Sequence, residues 1–225
     1  MASEIVHCCI DRPRLIVPRP HGFAKPEAAI LDSARWKPGD VIRIKFLDGV
    51  RPRQHNVIEW AEEWLQYANL KFLWVGYWKP SDVRITFRPG GSWSYLGTDC
   101  REKSPHFPTM QLGWGPDRAT TIHEFGHVLG LIHEHQQPAA AIPWNKEAVY
   151  AYYEGPPNFW AQADVDQQIF AKYSQGITNT AWDKHSAMQY PIPADHVTDP
   201  SFAVGLNEGI SPTDAAFISS IYPRM

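Results

Sequence analysis

His123-Glu124-Phe125-Gly126-His127-Val128-Leu129-Gly130-Leu131-Ile132-His133 is the stretch on which the reading of this chain turns. Two histidines four residues apart project from one face of a helix, one turn above each other, so both imidazoles can reach a single metal ion. Glu124 lies beside the pair without being needed as a ligand, which suits a general base for a zinc-bound water. In an unbroken helix His133 would sit about 15 Å along the axis from His123. Zinc–nitrogen bonds of about 2 Å cannot bridge that gap, so the chain has to turn between them. Gly130 is the residue able to take the positive φ such a turn needs. The competing reading is an amphipathic core helix with incidental histidines, because Phe125, Val128, Leu129, Leu131 and Ile132 could fill a core face. It leaves unexplained why three imidazoles and a carboxylate fall at zinc-ligand spacing.

These residues form HExxHxxGxxH, which resembles the signature of the metzincin zinc endopeptidases, and the following Glu134 resembles the astacin branch. The resemblance implies Zn2+ held by His123, His127 and His133, with Glu124 as catalytic base. It also implies a buried structural role for Glu134, paired with the mature N-terminus. The arginine and further acids that astacins carry after this point are missing from Glu134-His135-Gln136-Gln137-Pro138. His135 is read as a surface residue or a supporting one near the site, because a fourth imidazole would close the catalytic position.

At 225 residues the chain suits one domain, or two lobes with a cleft between them. A net charge of −3 without blocks of like charge argues against nucleic acid or an anionic membrane as main partner. No apolar run approaches the ~18 residues of a membrane span. Met1-Ala2-Ser3-Glu4 lacks the basic start and apolar core of a secretory signal, so the expectation is a cytoplasmic protein or leaderless export. Three cysteines make no disulfide framework, although Cys8 or Cys9 could pair with Cys100. Residues 1–38, rich in Pro and Arg, read as an extended segment over the body of the protein, with a short helix at Ala28 to Trp36. A latency switch through Cys8, Cys9 or Asp11 is one reading of it, since a thiolate or carboxylate suits the open zinc position. A packed arm with ordinary cysteines is the other.

Val41 to Leu47 alternates like a strand; Val57, Trp60, Ala61, Trp64, Leu65 and Ala68 mark a helix over 54–69. Leu70 to Val75 and Val83 to Phe87 are further strands, giving a twisted sheet backed by a helix. Gly90 to Gly97 reads as a flexible bend and a short strand near an edge. Trp93-Ser94-Tyr95-Leu96-Gly97 and the strand at Met110 to Trp114 also resemble astacin features. In metzincins the sheet edge above the zinc binds extended substrate, and that edge is expected at 107–114, with Asp117 capping the zinc helix. Lys146 to Tyr153 reads as a helix, and Asn158 to Tyr173 as irregular with a second helix.

Asp183 to Pro191 contains Ser186-Ala187-Met188-Gln189-Tyr190, which resembles the Met-turn of astacins and serralysins. The resemblance implies Met188 packed beneath the zinc histidines and Tyr190 as a movable fifth ligand that binds the developing oxyanion. A pair of ordinary core residues is the alternative. By the same analogy Ile192 to Val197 would wall the pocket for the side chain after the scissile bond. His185 and His196 read as ordinary surface or hydrogen-bonded histidines. Ser211-Pro212-Thr213-Asp214 opens a last helix, whose Phe217, Ile218 and Ile221 close the lower lobe.

The expectation is an α+β, metzincin-like, two-lobed domain over 39–225, with a mixed sheet and two helices in an upper lobe (39–130). The lower lobe (131–225) is expected to be mostly irregular and to end in a helix. The expected function is zinc-dependent cleavage of internal peptide bonds in protein or peptide substrates by a monomer. A zinc hydrolase acting on a non-protein amide, or an inactive binding module of this fold, are the alternatives.

Overall fold

The computed structural model describes residues 29–224 apart from 116 and 157. Cys8, Cys9 and Asp11 lie outside the described residues. Among the described residues no helix is long and apolar enough to cross a membrane. The first described residues form β1 (Ile30–Leu31) and a 3₁₀ turn at Asp32–Ala34, in place of the expected short helix. Ile30 and Trp36 are buried in the main core, so from Ala29 onward the chain is woven into the domain well before residue 39.

The sheet begins with β2 (Val41–Phe46), whose alternation buries Ile42 and Ile44 on the inner face. Helix α1 (Arg51–Glu62) starts three residues earlier than the apolar spacing suggests. Pro52 sits in its first turn, where a missing N–H costs no hydrogen bond, and the helix tightens into a 3₁₀ turn at Glu63–Gln66. It is the crossover that parallel pairing of β2 with β3 (Lys71–Trp74) requires. The strands β4 (Val83–Thr86), β5 (Ser92–Ser94) and β6 (Met110–Leu112) complete a five-stranded sheet in the order β3-β2-β4-β6-β5. Every pairing is parallel except that of β5 with β6.

That order corrects one expectation. Met110–Leu112 lies inside the sheet, between β4 and β5, and the outer strand is Ser92–Ser94. The chain reaches the edge first and then folds back inward, registering Ser92 against Leu112 and Ser94 against Met110. Buried Arg84 fastens the long connection between the two strands. Its guanidinium donates to the carbonyls of Ser81, Asp82, Cys100, Lys103 and Phe107. Among the described residues Cys100 is a buried free thiol, pushed by burial to about 12, which disfavours its thiolate.

Helix α2 (Arg118–Val128) packs on α1, where the Trp64 indole N–H donates to the Ile122 carbonyl at 2.9 Å. The remainder is lightly structured. It contains α3 (Lys146–Glu154), α4 (Gln162–Val165) running into a π-helical segment at Asp166–Phe170, β7 (Ile177–Thr178) paired with β1, and α5 (Pro212–Ile221). Helix α5 does more than close the lower lobe. Phe217, Ile218 and Tyr222 belong to the same core as the sheet and α1, and the Tyr222 hydroxyl donates to the Leu129 carbonyl at 2.6 Å.

Candidate metal centre and cleft

The centre is built by the way α2 starts and stops. Asp117 caps its first turn by accepting from Thr120 N at 2.7 Å. Its end is a Schellman motif: Gly130 N donates to the His127 carbonyl at 2.8 Å and Leu131 N to the Gly126 carbonyl at 3.0 Å. Gly130 has φ +95°, the left-handed conformation that the spacing of the three histidines demands. The N-terminal strand holds this turn from outside. Leu31 N donates to the Gly130 carbonyl at 3.0 Å and Ile132 N to the Ala29 carbonyl at 3.1 Å.

The turn returns His133 to its two partners. Nε2 of His133 lies 3.1 Å from Nε2 of His127 and 3.2 Å from Nε2 of His123. Carbonyl oxygens fix the other side of two of the rings: His123 Nδ1 donates to Ala187 O and His127 Nδ1 to Leu131 O, each at 2.8 Å. A carbonyl only accepts, so Nδ1 carries the proton and each Nε2 presents a lone pair inward. Burial, with His123 beside it, pushes the His133 imidazole well below the usual histidine range, favouring the neutral ligand form. Tetrahedral zinc with bonds near 2 Å would set its nitrogens about 3.3 Å apart, so this donor set fits the ion. Among the described residues these three histidines are the one such grouping of metal-binding side chains.

Beneath them lies the 186–190 turn. Gly126 is pressed so closely against Met188 that an added Cβ would collide with the sulfur. The turn is clamped by α5. Asp214 accepts from Ser186 Oγ (2.7 Å), Ala187 N (2.8 Å) and Ser211 N (3.1 Å), and Ser211 Oγ donates to Asp183 at 2.7 Å. Ala187 thus donates its N–H to Asp214 on one side and accepts from His123 at its carbonyl on the other. Sequence reasoning assigns Asp214 no part in the centre, although Ser211-Pro212-Thr213-Asp214 is legible as a capping box.

Tyr190 is buried, its ring centroid 4.3 Å from that of His133 and 5.8 Å from that of His123. Glu124, fully buried, lines a cleft pocket of about 400 Å³ with His123, Tyr190, Trp114, Leu206 and Asn207. Ile192 to Val197 do not wall this pocket. Ile192 pairs with Val204 and Val197 with Trp144, turning both into a satellite core and bringing Leu206 and Asn207 to the cleft instead. His135 is buried beside Tyr190, with Nε2 on the Gln168 carbonyl at 2.9 Å. His185 is exposed, and His196 packs against Tyr152 with ring centroids 4.9 Å apart; neither joins the triad.

Glu134 is buried, and among the described residues it accepts from Gln137 Nε2 at 2.6 Å and Asp183 N at 2.8 Å. Burial raises its carboxyl to about 8. Lys172 takes over the loop beyond it, its ammonium donating to the carbonyls of His135, Gln137 and Ala140. Neither role carries a local sequence signal, because Asp183 and Lys172 meet the loop only through the tertiary fold.

The fold and the histidine triad together define a metallopeptidase of the metzincin type. The family model described as Astacin, a peptidase family, matches residues 29–155, and the chain belongs to the astacin family of zinc metallopeptidases. The structure of myroilysin is 42% identical and superposes with a TM-score of 0.84, over 88% of this chain and 100% of that one. A crystal structure of myroilysin is 40% identical with a TM-score of 0.65, covering 85% of this chain and 87% of that one. High choriolytic enzyme 1, a hatching enzyme zinc-protease from the medaka fish Oryzias latipes, shares the fold. It is 18% identical with a TM-score of 0.62, over 86% and 96% of the two chains. No curated protein matches the chain.

Proposed function

We propose that the chain is a zinc endopeptidase in which His123, His127 and His133 hold the metal, Glu124 is the general base and Tyr190 binds the developing oxyanion. The observation that carries this is the convergence of three Nε2 atoms at 3.1 and 3.2 Å, with two of the Nδ1 positions committed to backbone carbonyls. Zinc bound there would acidify a water molecule and polarise the scissile carbonyl. Glu124 shares the pocket with His123 and Tyr190, where its carboxylate takes the water's proton and passes it to the leaving amine. The Tyr190 phenol donates a hydrogen bond to the oxygen that gains charge.

An extended peptide adds to the outer strand β5, with its next side chain in the pocket beside Glu124. Trp93 of β5 belongs to the same cluster as Tyr190, so the strand flanks the cleft. Glu124→Gln is expected to retain about one zinc per chain yet lose about 10²–10⁴ of the cleavage rate on a casein or peptide substrate. A Glu124→Gln protein that loads zinc and cleaves at the wild-type rate would remove Glu124 as the base.

A further inference from the structure

We propose that His135 is a positioning residue for Tyr190: its ring, stacked on the phenol and anchored to the Gln168 carbonyl, fixes where the phenol rests against the metal-binding histidines. This rests on the oxyanion role proposed for Tyr190. The 3₁₀ turn at Glu134–Gln136 brings His135 back alongside the centre, two residues beyond His133. Its ring centroid lies 4.7 Å from Tyr190, tilted by 30°, and 5.4 Å from His133, tilted by 20°. Ring contacts of this kind favour a fixed mutual placement beyond what the buried area alone supplies.

The imidazole is not available as a ligand through Nε2, because that nitrogen donates to Gln168 O. The anchor itself is unusual. Gln168 lies in the π-helical segment Asp166–Phe170, and the neighbouring Gln167 carbonyl accepts from Gln136 Nε2 at 3.0 Å. Two successive side chains after the zinc motif are therefore tied to two successive carbonyls of a segment type that recurs at functional sites. Trp144 packs at right angles to His135, with ring centroids 6.3 Å apart, and adds a further contact that holds the imidazole. A phenol that must move between the metal and the oxyanion needs a flat, fixed wall to move along, and His135 provides that face.

The test loads full-length protein with one equivalent of Cu2+ in place of zinc and follows the phenolate-to-copper charge-transfer band, alongside kcat and KM of the zinc form. Wild type is expected to show the band and Tyr190→Phe to lack it. His135→Gln keeps an N–H donor for Gln168 but has no ring. It is expected to bind copper and zinc stoichiometrically, to lose more than about half of the band, and to drop kcat about tenfold, an effect of the size such stacking can supply. Its KM is expected to stay within about twofold, since substrate contacts are untouched. His135→Phe restores a flat ring without the Gln168 hydrogen bond and is expected to recover part of the band and of kcat.

A folded His135→Gln with wild-type band and kcat would overturn the proposal. So would a folded, metal-loaded His135→Phe as impaired as the Gln variant, and that variant decides alone if Gln prevents folding. Absence of the band in wild type, or its survival in Tyr190→Phe, would instead overturn the reading of Tyr190 and the proposal with it.

Discussion

Gly126 looks like one more small residue in a helix, yet it governs how closely α2 approaches Met188. A methyl group there would collide with the Met188 sulfur and lie 3.4 Å from the Trp64 ring, so one of them has to move. Gly126→Ala is expected to destabilise the zinc-loaded protein by about 1–3 kcal/mol, despite the better helix propensity of alanine. Denaturant unfolding measures it. Met188→Ala in the same chain should recover part of that loss, and strict additivity of the two changes would show that they do not touch. The sequence carries Gly130 in plain view, because three histidines at that spacing cannot meet without a left-handed turn. It cannot carry Gly126, whose reason lies in a sulfur far along the chain. Tyr190 is legible only through resemblance, and the sequence carries no sign that His135 packs against it.

Among the elements, β2 and the body of α1 are readable from periodicity, since each has one face that must leave water, while α2 is readable from its histidine spacing. The start of α1 is not, because Pro52 looks like a breaker, although a first turn tolerates it. Strand order is hidden for a different reason. The glycines around Ser92–Ser94 point to an edge, but nothing local in Met110–Leu112 says that it lies inside, since that depends on how both are placed relative to β4. The segment Ala29–Leu31 reads as part of an arm with a short helix at Ala28 to Trp36, yet its backbone bonds hold the Gly130–Ile132 turn.

Helix α5 and the metal centre are linked through a single carboxylate. Asp214→Ala removes three acceptor contacts and frees the Ala187 carbonyl from its fixed position against His123. Zinc affinity, read by competition with a chelator, is expected to fall about 10–100-fold, as for other outer-shell partners of metal ligands. Unchanged affinity would mean that the helix cap does not orient the ligand.

At the scale of the whole molecule, the sheet with α1 and α2 shares one core with α5, and the cleft lies along that joined face. Burying Glu134 inside it gives stability a pH dependence. Desolvation raises its carboxyl from an ordinary 4.5 to about 8, so the folded chain keeps a proton that the unfolded chain releases. Its contribution is therefore fully present below pH 4.5 and is lost as pH rises towards about 8. Glu134→Gln, which can accept the same bonds from Gln137 and Asp183, should gain on wild type steadily across that interval in thermal midpoint. A constant difference from about pH 5 to about pH 8 would place the ionisation elsewhere.

On the proposed function, the three converging nitrogens make the chain a peptidase by holding one zinc ion. The most direct measurement strips the full-length protein with a chelator and titrates zinc back while following cleavage of a casein substrate. Stripping is expected to abolish cleavage, and activity to return in proportion to zinc until it levels at one ion per chain. Cleavage that survives complete removal of metal, or that fails to return when the stoichiometric ion is bound, would contradict it.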